Sequence, residues 1–125
     1  MHSTVTRVIH HVQIACPAES DETVREYYLG VLGLAEVPQP PALAVPGGCW
    51  FAVYGIEWHV GVEVDFRPGR KAHPGLLWPD PDGLALRLSD AGYPVRWASE
   101  EELPGMRRLH TEDPHGKPTG VPRPA

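Results

Sequence analysis

The 125-residue chain lacks any apolar run near the roughly 20 residues that a membrane-spanning helix needs. Its N-terminus, Met1 to Arg7, has no long apolar segment of the kind found in a secretory signal peptide. Basic residues are few, because 11 Lys and Arg stand against 16 Asp and Glu, and the only basic cluster is Arg67, Arg70 and Lys71. With a net charge of −5, we expect neither a membrane nor a nucleic acid as partner.

Cysteine is also scarce, with only Cys16 and Cys49, both in strand-like segments. This usage is typical of reduced core residues in a cytoplasmic protein, and a disulfide or a reactive thiol is the alternative. The length fits one domain, residues 1–125, that can bury a core without covalent staples.

The first half of the chain has the pattern of a strand, a helix and three further strands. Residues 8–15 alternate, with Val12 and Ile14 on one face and His11, Gln13 and Ala15 on the other. A helix capped by Ser20 or Asp21 follows and ends at Gly33. Its apolar stripe comprises Val24, Tyr27, Tyr28, Val31 and Leu32. Strands are predicted over 34–37, 49–54 and 56–65, with a Pro- and Gly-rich loop at 38–48.

The second half repeats this order after a linker at 66–71. A strand over 73–78 is interrupted by Pro74, and a helix begins at an Asp80 cap and ends at Gly92. Strands over 95–98 and 106–111 precede a tight turn at 113–116. We expect no strand after this turn, because Pro118, Pro122 and Pro124 lack the N–H groups of a paired strand.

Three features together carry a family resemblance: the early strand histidine, the sequence from Tyr27 to Leu34 and the late Asp-Pro-x-Gly turn. With two βαβββ halves, the chain resembles the vicinal oxygen chelate superfamily of glyoxalases, bleomycin-resistance proteins and extradiol dioxygenases. The resemblance implies an α+β fold in which paired βαβββ modules, roughly 6–66 and 71–121, form a curved sheet or half-barrel around a cleft. It also implies a homodimer, because such proteins commonly complete their clefts across two chains.

The resemblance further implies a divalent metal, Zn, Ni, Fe or Mn, held by His11, His59 and His73. Such a metal chelates adjacent substrate oxygens and acts as a Lewis acid. The fourth ligand is usually a glutamate, which is also the usual proton-abstracting base, and its position is occupied by Gly120. Removing one nucleotide from suitable codons for the tail would place Glu at this position. A shifted reading frame is therefore one interpretation of the tail, and a genuine family tail is the other.

Each candidate residue also has a structural interpretation. His11, His59 and His73 are either ligands or ordinary strand histidines, and His110 and His115 are expected at the surface. Gln13 and Trp50 are predicted to contact the substrate, although strand tryptophans usually belong to the core. Three functions stay open: a small metalloenzyme of the glyoxalase or dioxygenase type acting on an oxygen-rich substrate, a metal-free antibiotic-binding type of protein, and a noncatalytic remnant.

Overall fold

The computed structural model describes residues 7–43, 47–99, 101–102 and 104–124, and it has two open β-sheets with two helical segments. The elements are β1 His11–Cys16, α1 Asp21–Arg25 with a π-helical continuation Glu26–Val31, β2 Ala35–Val37, a 3-10 turn Pro41–Leu43, β3 Cys49–Val53, β4 Ile56–Val62, α2 Pro81–Asp90, β5 Arg96–Trp97, β6 Met106–Glu112 and β7 Pro118–Pro124. The predicted α+β class and paired βαβββ order are confirmed.

The first sheet has the strand order β1-β4-β3-β2. β1 runs parallel to β4, and the other neighbours are antiparallel. The predicted alternation of β1 is confirmed, because Ile14 is buried in the core whereas His11 and Gln13 are exposed on the opposite face. Register then decides which residues of β3 and β4 share that face, since Gln13 pairs with His59 and His59 pairs with Trp50.

The first helix differs from the regular helix that its periodicity predicts. Only residues 21–25 are α-helical, and the next turn is a π-helix in which the Leu32 N–H donates to the Tyr27 carbonyl. An apolar stripe cannot distinguish the two forms over one turn, because both bury the same side chains. The predicted end of the helix is confirmed, since Gly33 has a φ of 74°.

The second sheet has the order β5-β6-β7, and all seven residues of β7 pair with β6. The expectation that the prolines would prevent a last strand was therefore wrong. Asp113 continues the ladder, since its N–H donates to the Lys117 carbonyl, so the odd-numbered residues of β7 hydrogen-bond to β6. All three prolines of β7 are even-numbered, and their missing N–H groups would face away from β6.

On the opposite edge of β7, the prolines remove N–H groups that could pair with a neighbouring strand. Gly120 is even-numbered and not a proline; its N–H donates to the Pro74 carbonyl and its carbonyl accepts from the Leu76 N–H. No proline in β7 can donate in the same way. The predicted strand over 73–78 is consequently reduced to a single parallel bridge between Gly75 and Gly120. The tail completes the sheet with the residues it has, and no change of reading frame is needed for that.

One hydrogen bond connects the two halves of the core. The Tyr28 hydroxyl donates to Asp113 Oδ2 at 2.7 Å, and Asp113 Oδ1 accepts from the backbone N–H groups of His115 and Lys117. Tyr28 and Asp113 are both buried. Burial, together with the carboxylate, raises the pKa of Tyr28 well above its ordinary value, so the hydroxyl stays a donor.

The two cysteines are free and fully buried, as the sequence predicts. Burial raises the pKa of Cys49 to about 11 and also raises that of Cys16, so neither thiol is activated. In the part of the chain that the structure describes, no helix has the length and apolar character to cross a bilayer.

Replacing Tyr28 with Phe should lower the free energy of unfolding by about 1.5–3 kcal/mol, because a buried charged acceptor loses a donor. Tyr27→Phe is the matched control. Tyr27 is equally buried, and its hydroxyl faces the neutral Thr111 side chain instead of a carboxylate. Urea denaturation of both variants measures the difference. Equal losses of stability would show that the Tyr28–Asp113 bond contributes nothing specific.

Candidate functional site

Three rings form a column on the face of the first sheet that points away from the core. The Trp50 ring lies parallel to the His59 ring, with centroids 3.6 Å apart and planes 6° apart. The His11 ring stacks on His59 at 4.5 Å and 15°. Trp50 is half-buried and His11 is exposed, whereas His59 is 4% exposed between them. We call Trp50, His59 and His11 the aromatic column.

Glu57 fixes the central ring of the aromatic column. His59 Nε2 lies 2.9 Å from Glu57 Oε1, two residues earlier on the same strand and on the same face. The hydrogen bond from His59 holds the pKa of Glu57 below its ordinary value. The carboxylate therefore remains a charged acceptor for this ring at neutral pH.

Gln13 lies next to the aromatic column, as the alternation of β1 predicts. Its amide donates to the Ile14 carbonyl at 3.2 Å. Its Nε2 would be only 2.5 Å from a Cβ built on Gly61, so the amide lies directly over this glycine. Glycine at position 61 is thus required for the present position of Gln13, and the exposed amide is available to a ligand on this face.

His73 lies on the second sheet, apart from the aromatic column. Its Nδ1 lies 2.7 Å from the Lys71 carbonyl oxygen, which makes Nδ1 the protonated nitrogen and leaves Nε2 as an acceptor. A Cβ built on Gly120 would lie 3.7 Å from His73 Nε2. Positions 73 and 120, which the resemblance assigns to one site, are therefore close in space.

His110 and Arg108 were missed as site residues, and the expectation that His110 is a surface residue was wrong. His110 is half-buried, pairs with Gly120 across the strands and lies 6.4 Å from His73 between ring centroids. Arg108 lies on the same face, with its Cδ 3.6 Å from the Cβ position of Gly120. Sequence alone gives no signal here, because the tail that carries position 120 was not expected to pair.

His73 and His110 border a cavity of about 300 Å³ that we call the second-sheet pocket, lined by His73, Pro94, Val95, Arg96, His110, Thr111, Glu112 and Pro118. Arg108 is not part of this lining; its side chain contacts the position of Gly120, which pairs with His110. Burial, followed by the charges of Arg108 and Arg96, lowers the pKa of His110. His110 is consequently neutral at physiological pH and adds no positive charge of its own.

The donor atoms of the aromatic column do not fit a metal ion. A metal bound to imidazole lies in the ring plane about 2.0–2.1 Å from nitrogen, and two stacked rings have no common in-plane point at this distance. Within the described ranges, no three His, Cys, Asp or Glu side chains come together in a metal-binding arrangement. The assignment of His11, His59 and His73 as ligands stays a prediction.

Comparison of the whole fold identifies the family. A protein from Bacillus anthracis assigned to the glyoxalase family has 31% sequence identity and a TM-score of 0.90, over 99% of this chain and 100% of that one. The chain belongs to the glyoxalase family, within the vicinal oxygen chelate superfamily. No family model and no curated protein sequence matches it.

Two more distant structures share the fold of this glyoxalase-family chain. Lactoylglutathione lyase from Agrobacterium tumefaciens has 17% identity and a TM-score of 0.69, over 94% of this chain and 93% of that one. TnmS3, an antibiotic binding protein from a Streptomyces species, has 20% identity and a TM-score of 0.67, over 99% and 100%. An enzyme and a binding protein therefore share this architecture, and the choice between them depends on side chains.

Proposed function

We propose that this glyoxalase-family protein binds a flat small molecule against the aromatic column and does so without a metal. The observation that carries the proposal is the near-parallel stack of Trp50, His59 and His11. A preformed column of rings offers a planar ligand a surface whose orientation is already fixed, which lowers the entropic cost of binding. An antibiotic binding protein has the same fold, so this architecture can accommodate binding without catalysis.

Gly120 supports binding over catalysis. In the family pattern this position carries the glutamate that completes the metal site and abstracts the proton. A glycine can do neither, and β7 contains no Asp or Glu that could replace it. Glu112, the one carboxylate lining the second-sheet pocket, lies at the far end of β6, paired with Pro118.

The proposed binding cleft is formed by two chains. The aromatic column and the second-sheet pocket each contain only part of the residues that the resemblance assigns to one site. A homodimer that places the aromatic column of one copy opposite the second-sheet pocket of the other would bring them together.

A metal-dependent lyase or dioxygenase is the second candidate, and the geometry of His73 favours it. A metal-binding histidine usually donates one ring N–H to a backbone carbonyl or carboxylate and binds the ion through the other nitrogen, and His73 has this arrangement, with Nδ1 on the Lys71 carbonyl and Nε2 free. His73 and the two column histidines would hold the ion, once the stacked rings had turned. The ion would supply Lewis acidity toward substrate oxygens.

Binding of 2-naphthamide, a neutral flat probe, should quench tryptophan fluorescence. Trp50→Leu should weaken this binding about tenfold, because the ligand loses its stacking surface. Trp97→Leu is the matched control, because Trp97 lies under the Arg107 guanidinium, 4.0 Å from the ring centroid, and outside the column. Isothermal titration calorimetry gives the affinities, and unchanged binding by the Trp50 variant would contradict the proposed site.

The protein should sediment as a dimer in analytical ultracentrifugation. Mixing the Trp50→Leu chain with a chain altered beside the second-sheet pocket, Arg108→Gln, should restore one intact cleft per mixed dimer. Recovery of part of the binding of 2-naphthoate, the acid counterpart of the amide probe, after exchange of subunits is the expected result. A monomer at all concentrations, or no recovery despite exchange, would exclude a cleft shared between copies.

Elemental mass spectrometry separates the two candidate functions. After exposure to Zn, Ni, Fe(II) and Mn and removal of any affinity tag, the proposed binding protein should retain no ion above background. About one ion per chain, lost in His11→Ala, would instead establish the metalloenzyme. Gly120→Glu serves as a comparison, since it adds the carboxylate of the family pattern beside His73.

A further inference from the structure

We propose that the second-sheet pocket binds an oxyanion, the carboxylate or phosphate group of the small molecule, through Arg96 and His110 of its lining and the neighbouring Arg108. That the ligand is a small flat molecule rests on the proposed function, whereas the oxyanion site rests on the residues of the pocket. The ligand would accordingly be a flat acid.

Arg108 is the principal observation. It is half-buried, its buried Nε has no hydrogen-bond partner, and its guanidinium makes no ion pair with any described residue. Arginine remains protonated at all relevant pH values, and a partly buried charge without a partner is costly. A ligand oxyanion would remove this cost, and the guanidinium can bind it through two parallel hydrogen bonds.

The oxyanion would lie near Gly120, which pairs with His110 of the pocket lining. The Cβ position of Gly120 is 3.6 Å from Arg108 Cδ and 3.7 Å from His73 Nε2, so Arg108 and His73 flank the point where a side chain would begin. No side chain of this residue occupies that space. A ligand carboxylate or phosphate could therefore take the place of the acidic side chain that this position lacks.

The charges around the pocket favour an anion over a cation. Arg96 lines the pocket, and its one ion pair, with Glu102 at 3.3 Å, is long and exposed. Glu112 also lines the pocket and opposes the arginines, but it is exposed and lies two positions beyond His110 on β6. Residues 67–125 carry nine Lys and Arg against eight Asp and Glu, whereas residues 1–66 carry two against eight. Positive charge is thus concentrated in the half that contains the pocket.

His110 provides a further buried polar atom at the same place. Its Nε2 is buried without a hydrogen-bond partner among the described residues. A neutral imidazole with its proton on that nitrogen can donate a hydrogen bond to an oxyanion. A cation would instead be repelled by Arg108 and Arg96, which excludes the His73–His110 pair as an independent metal site in this arrangement.

The test compares 2-naphthoate and naphthyl phosphate with the neutral 2-naphthamide by calorimetry. We expect one or both acids to bind at least about tenfold more tightly than the amide, and this preference should disappear in Arg108→Gln. The two acids distinguish a carboxylate from a phosphate ligand. Arg107→Gln is the matched control, since Arg107 is adjacent in sequence but lies on the other face, paired with Asp82 and stacked over Trp97.

Gly120→Glu is a second variant that does not remove the arginine. Its carboxylate would lie beside Arg108 and His73 and should displace the acids while leaving the amide unaffected. Equal affinities for acids and amide in the natural protein would overturn the oxyanion pocket and leave the aromatic column intact as the binding site. Arg108-dependent binding of the acids without binding of the amide would support the pocket and contradict the column.

Discussion

The structure depends on the buried carboxylate of Asp113. It accepts hydrogen bonds from the Tyr28 hydroxyl and from two backbone N–H groups of the turn that joins β6 to β7. A buried charge is stable only when such bonds replace its hydration. The same group therefore closes the turn and connects it to the helix of the first half. The register of β7 on β6 begins at this turn, and with it the position of Gly120 opposite His110.

The register of β7 places its prolines so that they affect the segment that carries His73. The prolines alternate with the residues whose N–H groups face β6, so β7 loses no hydrogen bond to β6. The other edge of β7 makes only the bridge around Gly120. The segment that carries His73 is consequently held by few backbone hydrogen bonds. A loosely paired edge strand opens more easily than a full ladder. The wall of the second-sheet pocket formed by His73 is therefore held in place mainly by the bridge at Gly75.

Much of the fold could be predicted from the sequence, because the periods of the strands and helices are local properties. The faces of β1, the Asp80 cap and the end at Gly33 all depend on neighbouring residues only. The sequence did not predict β7, because whether its prolines break the pairing depends on which edge of β7 faces β6. Arg108 and His110 were missed for the same reason, since their proximity to position 120 exists only once that pairing is formed.

Substitution of a glycine for an acidic side chain changes what a site of this kind can do. A resident carboxylate beside Arg108 would neutralise the arginine and hold a base near His73. Without this carboxylate, Arg108 can pair with an acidic group of the ligand, and no group at position 120 can accept a substrate proton. The free energy of pairing the charge then contributes to binding the ligand and not to stabilising a transition state. A pocket that needs the ligand's own acid group discriminates against neutral molecules of the same shape, since these leave Arg108 unpaired.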